Sequence, residues 1–170
     1  MYNQTAVVIT TINKVSNNLL NISKNCKRKK WSFILIGDKK TPSNFKIPYG
    51  SYLSLKKQKE SNLLLARRLP INSYARKNVG YLLAINNGAK KIIETDDDNY
   101  PYSSFFKKRE AFHYAKIPKL KGFFNVYKYS QKKSIKNIIW QRGLPFDEIE
   151  TGKKIIFYKK KIQALVLQGL

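Results

Sequence analysis

Ser73-Tyr-Ala-Arg-Lys-Asn-Val-Gly-Tyr-Leu-Leu-Ala-Ile-Asn-Asn-Gly-Ala-Lys-Lys-Ile-Ile-Glu-Thr-Asp-Asp-Asp98 reads as a helix, a strand and an acidic turn in succession. Ser73 carries the short hydroxyl side chain that caps a helix start. Ala75, Val79, Leu82 and Leu83 share one face of the helix predicted over Tyr74–Asn87, and Gly88 supplies its stop. The strand predicted over Ala89–Glu94 then delivers Asp96, Asp97 and Asp98 at its carboxyl end, the side on which open parallel sheets bind ligands.

Upstream, strand and helix patterns alternate. Thr5–Ile12 and Trp31–Asp38 are continuous apolar, largely β-branched runs, suited to strands buried on both faces. A short helix is predicted over Lys14–Asn25, a loop over Lys39–Tyr49, a third strand over Ser51–Leu55, and a helix over Lys56–Arg68 with Leu63, Leu64 and Leu65 inward and Pro70 as its stop. This alternation predicts an α/β fold, a mostly parallel, Rossmann-like sheet flanked by helices. Beyond Pro101 the pattern loosens: Phe105–Tyr114 reads as helical, Gly122–Tyr129 and Lys154–Tyr158 as strands, Trp140–Phe146 as a loop, and Ile162–Leu167 as another apolar run. A length of 170 residues with 42% hydrophobic content suits one domain over 1–170.

The three aspartates hold three of the ten acidic residues in a chain of net charge +24. Adjacent carboxylates repel one another, so the cluster favours a cation, although Asp, Asn and Pro also suit a turn. Thr10 and Thr11 end the first strand and Asp38 ends the second, which brings them to the same sheet edge. Arg76 and Lys77 sit in the first turn of the Tyr74 helix, where the macrodipole disfavours cations; a diphosphate there would compensate them. Gly80, one turn after Arg76, would let another chain segment approach closely.

Of the 34 basic residues six are Arg, and the Lys are spread over nearly every segment. Phosphate and base recognition favours clustered Arg, so the charge reads as compositional bias and nucleic acid is not the expected partner, a basic nucleic-acid-binding module being kept as an alternative. The single cysteine, Cys26, reads as structural. His113, the only histidine, has no evident catalytic partner. No Walker-type or Gly-x-Gly-x-x-Gly run is present. The N-terminus lacks signal-peptide features and no apolar run reaches the ~20 residues that span a bilayer, so a cytoplasmic location without a transmembrane segment is expected.

Asn72–Tyr81 followed by Gly88–Asn99 resembles the STELLO-like family of glycosyltransferases, as do Val8–Asn13, Ile36–Pro42, Trp140–Pro145 and Leu167–Leu170, in the same order. The resemblance implies a GT-A fold in which an Asp-x-Asp element holds Mn²⁺ or Mg²⁺ on the diphosphate of a nucleotide sugar, such as a UDP-sugar, whose sugar passes to an acceptor. It implies Asp98 as the direct metal ligand, with Asp96 nearer the ribose or metal and Asp97 in the same element. Thr10, Thr11 and Asp38 would border the nucleotide, and Arg76 and Asn78 the ribose or phosphates. Family members continue past the Leu-Gln-Gly-Leu run with a further acidic segment, whereas this sequence ends at Leu170. The resemblance therefore also admits a shortened form that binds nucleotide sugar without transferring it. Arg142–Phe146 resembles the reversibly glycosylated polypeptides, UDP-arabinopyranose mutases, which makes Arg142 an active-site candidate and a mutase an alternative activity; otherwise it is a loop residue anchored by its Trp and Pro neighbours.

Overall fold

The computed structural model describes residues 4–107, 112–119, 123–127, 139–140, 142–145 and 156–163. The described residues up to 107 form one compact unit and those from 112 onward a second. The first is built on a four-stranded, all-parallel sheet of β1 (Thr5–Thr11), β2 (Ser32–Gly37), β3 (Ser51–Leu53) and β4 (Lys91–Glu94), in the order β3-β2-β1-β4. The predicted α/β architecture is thus present. β1 and β2 are the central pair, with Val7 beside Phe33, Val8 beside Ile34 and Ile9 beside Leu35.

Burial on both faces explains why these two strands are apolar without alternation. On one face Val7, Ile9, Phe33 and Leu35 pack against Leu19, Ile22 and Cys26 of α1 (Asn17–Lys29). On the other, Ala6, Val8, Ile34 and Ile36 pack against Ala66 of α3 (Leu64–Arg68) and Val79 and Ala84 of α4 (Lys77–Asn86). Each Val, Leu, Ile or Phe among them, fully removed from water, contributes roughly 1.5–3 kcal/mol. Gly80 is what lets α4 lie so close: a Cβ there would stand 2.5 Å from Val8 Cγ1 and 3.0 Å from Ile36 Cγ1.

Local chemistry sets the helix ends. Ser16 caps α1, its Oγ accepting from Leu19 N at 3.2 Å, and Lys27, Arg28 and Lys29 occupy the last turn, where the dipole favours cations. The helix therefore starts and ends later than the predicted Lys14–Asn25. Ser73 Oγ accepts from Ala75 N as predicted, but the first turn, Tyr74–Arg76, is a 3₁₀ turn that leads into α4. Gly88, at φ 82°, donates to Ile85 O, and Ala89 donates to Ala84 O, a Schellman stop.

The helix predicted over Lys56–Arg68 is instead two, α2 (Leu55–Glu60) and α3. Ser61 is extended and its Oγ donates to Gln58 O at 2.7 Å, a local bond that competes with helix continuation. The break leaves Leu64 and Leu65 exposed and Ala66 fully buried, so the expected inward leucine run is corrected to Leu63, which is partly buried, and Ala66. Gln58, also fully buried, donates to Gly37 O at 2.7 Å and Leu53 O at 3.0 Å, fastening α2 under the ends of β2 and β3.

The helix predicted over Phe105–Tyr114 is also corrected. Ser103–Phe106 is a 3₁₀ turn whose Phe105 and Phe106 join the α1 face of the core, and Phe112–Pro118 is β5 of the second unit. β5 pairs antiparallel with β6 (Phe157–Gln163), Phe112 opposite Gln163 and Pro118 opposite Phe157. Its Phe-His-Tyr start favours strand over helix. Residues 123–127 form no strand. The remainder of the predicted 122–129 strand, residues 146–155 and residues 164–170 lie outside the described residues. Among the described residues no helix is long and apolar enough to cross a membrane.

Candidate functional site

At the carboxyl edge of the sheet an open cleft of about 330 Å³ lies between the ends of β1 and β2, the start of the Tyr74 turn and the loop after β4. Thr10, Thr11, Asp38, Arg76, Asp97 and Asp98 all line it. The parallel topology is the reason: every strand leaves the sheet on this side, so loops distant in sequence meet there.

Asp97 is held from β1. Thr11 Oγ1 donates to Asp97 Oδ2 at 2.5 Å and Asn13 Nδ2 donates to the same oxygen at 3.0 Å. Asn18, in the first turn of α1, donates to the carbonyl oxygens of Asp97 and Asn99, so the acidic loop is pinned by both its side chain and its backbone. Asp98, the next residue, is exposed at the cleft.

Asp38 joins β2 to the Tyr74 turn. Its Oδ2 accepts from Ser73 N at 3.1 Å and its Oδ1 from Lys39 N at 2.7 Å. The Thr41 hydroxyl accepts from Asp38 N at 2.8 Å and donates to Thr11 O at 2.6 Å, tying the ends of β1 and β2 together. Arg76 is 1% exposed. Both of its Nη groups donate to Ala66 O at 3.3 Å, and its Nε stands 3.9 Å from Asp38 Oδ1 without a hydrogen-bond partner.

Lys77, also buried, has its own anions. Its Nζ donates to Asp96 Oδ1 at 2.7 Å and Glu94 Oε1 at 3.1 Å, and Tyr81 donates its hydroxyl to Glu94 Oε2. Burial alone would lower the Lys77 pKa, but the bonds to Asp96 and Glu94 outweigh it and hold the ammonium above its ordinary value. The Tyr81 bond, against some burial, holds Glu94 below its ordinary value, with Lys77 adding to it. Burial, then the Glu94 carboxylate, pushes Tyr81 up.

The expectation that a bound diphosphate compensates Arg76 and Lys77 is therefore corrected: the protein's own Asp38, Glu94 and Asp96 do so. Of the expected site residues, Asp96 faces Lys77 and is not among the residues lining the cleft, and Asn78 is exposed outside it, donating to Ala75 O. Arg142 is exposed on a turn of the second unit, beside Gly143 at φ 90°, where Trp140 Nε1 donates to Leu144 O at 3.1 Å. Cys26 is free and buried, and burial pushes its thiol up to about 12, in keeping with a structural role.

Sequence reading missed Asn13, Asn18 and Thr41. All three lie a few residues beyond a strand end already assigned to this edge, Asn13 and Asn18 after the first strand and Thr41 after the second, which is the signal that would have found them. Among the described residues no group of three or more His, Cys, Asp or Glu side chains gathers as a ready metal centre. Of the acidic run, Asp97 and Asp98 do reach the cleft, and both hydrogen bonds to the Asp97 carboxylate fall on one oxygen. That donor set suits Mg²⁺ or Mn²⁺, which one or two carboxylates hold together with phosphate oxygens and water.

This chain is 44% identical over 71 residues to the "Probable glycosyltransferase STELLO2" of Arabidopsis thaliana, a match covering 42% of this chain and 9% of that protein. It is 42% identical over 67 residues to "Probable glycosyltransferase STELLO1" of the same plant, covering 39% of this chain and 9% of the relative. The chain is STELLO-like over that stretch. No family model matches it. The match spans less than a tenth of the length of either relative.

Proposed function

We propose that the cleft binds a nucleotide-sugar donor through a divalent cation, and that the chain is a GT-A-like glycosyltransferase domain that passes the sugar to an acceptor. The observation that carries this reading is the meeting of Asp97 and Asp98 with Thr10, Thr11 and Asp38 in one cleft at the carboxyl edge of a parallel sheet. The similarity to the STELLO proteins, named probable glycosyltransferases, supports the reaction class.

Asp98, exposed at the cleft, and Asp97 beside it would hold Mn²⁺ or Mg²⁺. When bound, the cation neutralises negative charge on the departing nucleoside diphosphate. The chain's own residues orient the donor. Thr11 and Asn13 fix the Asp97 carboxylate, Ser73 N and Arg76 fix Asp38 at the nucleotide end, and Tyr74, 84% exposed at the cleft, offers an aromatic face to a base. Arg76 acts through Asp38, because its Nη groups are committed to Ala66 O.

The test is turnover with a panel of UDP- and GDP-sugars in the presence of Mn²⁺. The account expects release of the nucleoside diphosphate from at least one donor, lost in Asp98→Ala. Binding without release from any donor would replace the transferase with a nucleotide-sugar-binding protein, and absence of both would overturn the reading.

A further inference from the structure

The Nζ of Lys77 grips three successive residues where β4 ends: it lies 3.1 Å from Glu94 Oε1, 3.5 Å from Thr95 O and 2.7 Å from Asp96 Oδ1. Lys77 is the first residue of α4, and its side chain is 8% exposed, so the ammonium is held inside the protein rather than offered to solvent. The next residue along the loop points elsewhere: Asp97 Oδ2 is taken by Thr11 and Asn13, on the cleft side. The acidic run is thus divided, one carboxylate drawn to α4 and two delivered to the cleft.

We infer that Lys77 is a positioning residue for the candidate metal site, holding Asp96 out of the cleft so that, of the three adjacent aspartates, Asp97 and Asp98 face the donor. The inference rests on the proposed nucleotide-binding reading. Three adjacent carboxylates repel one another, and the ammonium relieves that repulsion for Asp96 without entering the cleft. It also gives Asp96 a partner stronger than solvent, which fixes the direction in which the loop turns. Tyr81 shares the load by bonding the second oxygen of Glu94, leaving Oε1 for Lys77.

The alternative role for Asp96, a direct metal ligand, predicts the opposite response, because Lys77 would then compete with the cation. Mn²⁺ affinity is measured by titration in saturating UDP for the full chain and for Lys77→Met, Lys77→Arg, Asp96→Asn and Asp98→Asn, and hydrogen exchange is followed across residues 95–99 without ligand. Lys77→Met should weaken Mn²⁺ by about tenfold or more, the usual effect of losing a group that orients metal ligands. It should also speed exchange at 95–99 while leaving β1 unchanged. Lys77→Arg should recover most of the affinity, and Asp96→Asn should cost far less than Asp98→Asn. Mn²⁺ binding unchanged or strengthened in Lys77→Met, or equal losses in the two Asn variants, overturns the inference. If Lys77→Met does not fold, the comparison of Asp96→Asn with Asp98→Asn decides it. A wild-type chain that binds no Mn²⁺ with UDP sinks the donor-site reading instead, and the exchange of 95–99 then decides whether Lys77 holds the loop.

Discussion

Arg76 Nε stands 3.9 Å from Asp38 Oδ1, a nearly buried ion pair that joins the end of β2 to the turn opening α4. Two elements that frame the cleft are fastened by it. Removing one member of such a pair strands the other charge, at a cost of about 3–5 kcal/mol where burial is complete. Asp38→Ala should approach the lower end, because the stranded Arg76 keeps the bonds from its Nη groups to Ala66 O. Arg76→Met should cost less, since it removes the more deeply buried charge and leaves a carboxylate still bonded to Ser73 N and Lys39 N. Urea unfolding of the two variants measures both; equal stability of Asp38→Ala and wild type would show the pair to be idle.

Gly80→Ala tests how closely α4 lies on the sheet. Alanine improves helix propensity by about 1 kcal/mol over glycine. Here the new methyl would meet Val8 Cγ1 at 2.5 Å and Ile36 Cγ1 at 3.0 Å, both in the core. Overpacking of this kind costs about 1–3 kcal/mol, so the variant should be less stable than wild type by roughly 1 kcal/mol net. A thermal midpoint at or above wild type contradicts the packing.

The Lys77 network should give the stability a signature in pH. Glu94 lies below its ordinary 4.5 in the folded chain, so its contribution is present above 4.5 and is lost as pH falls through the folded value. Lys77 lies above its ordinary 10.5, so its contribution is complete below 10.5 and is lost as pH rises through the folded value. The stability difference between wild type and Lys77→Met should therefore be largest between these limits and shrink outside both. Denaturant midpoints at acid, neutral and alkaline pH check it; a difference independent of pH would contradict the network.

Much of the first unit was legible in sequence because its signals are local. Unbroken apolar runs at 5–12 and 31–38 mark strands covered on both faces, Ser73 and Gly88 carry their own capping chemistry, and the strand-end rule brought Thr10, Thr11, Asp38 and the aspartates to one edge. What escaped depends on partners distant in the chain. Nothing periodic links Lys77 to Asp96, or Arg76 to Asp38, so both cations read as awaiting a bound anion when both are paired within the protein. The split at Ser61 is marked by a hydroxyl that donates to Gln58 O and accepts from Leu63 N, which no hydrophobic pattern records. At Phe112–Pro118 the aromatic start suits a strand, but the partner that supplies its ladder, β6, lies far along the chain.

The most direct test of the donor site is calorimetric titration of UDP into the full chain with and without Mn²⁺, repeated with Asp98→Ala. The account predicts that Mn²⁺ strengthens UDP binding to the wild-type chain and that Asp98→Ala removes this gain. UDP binding that ignores the metal, or a metal-dependent gain that survives Asp98→Ala, would contradict it.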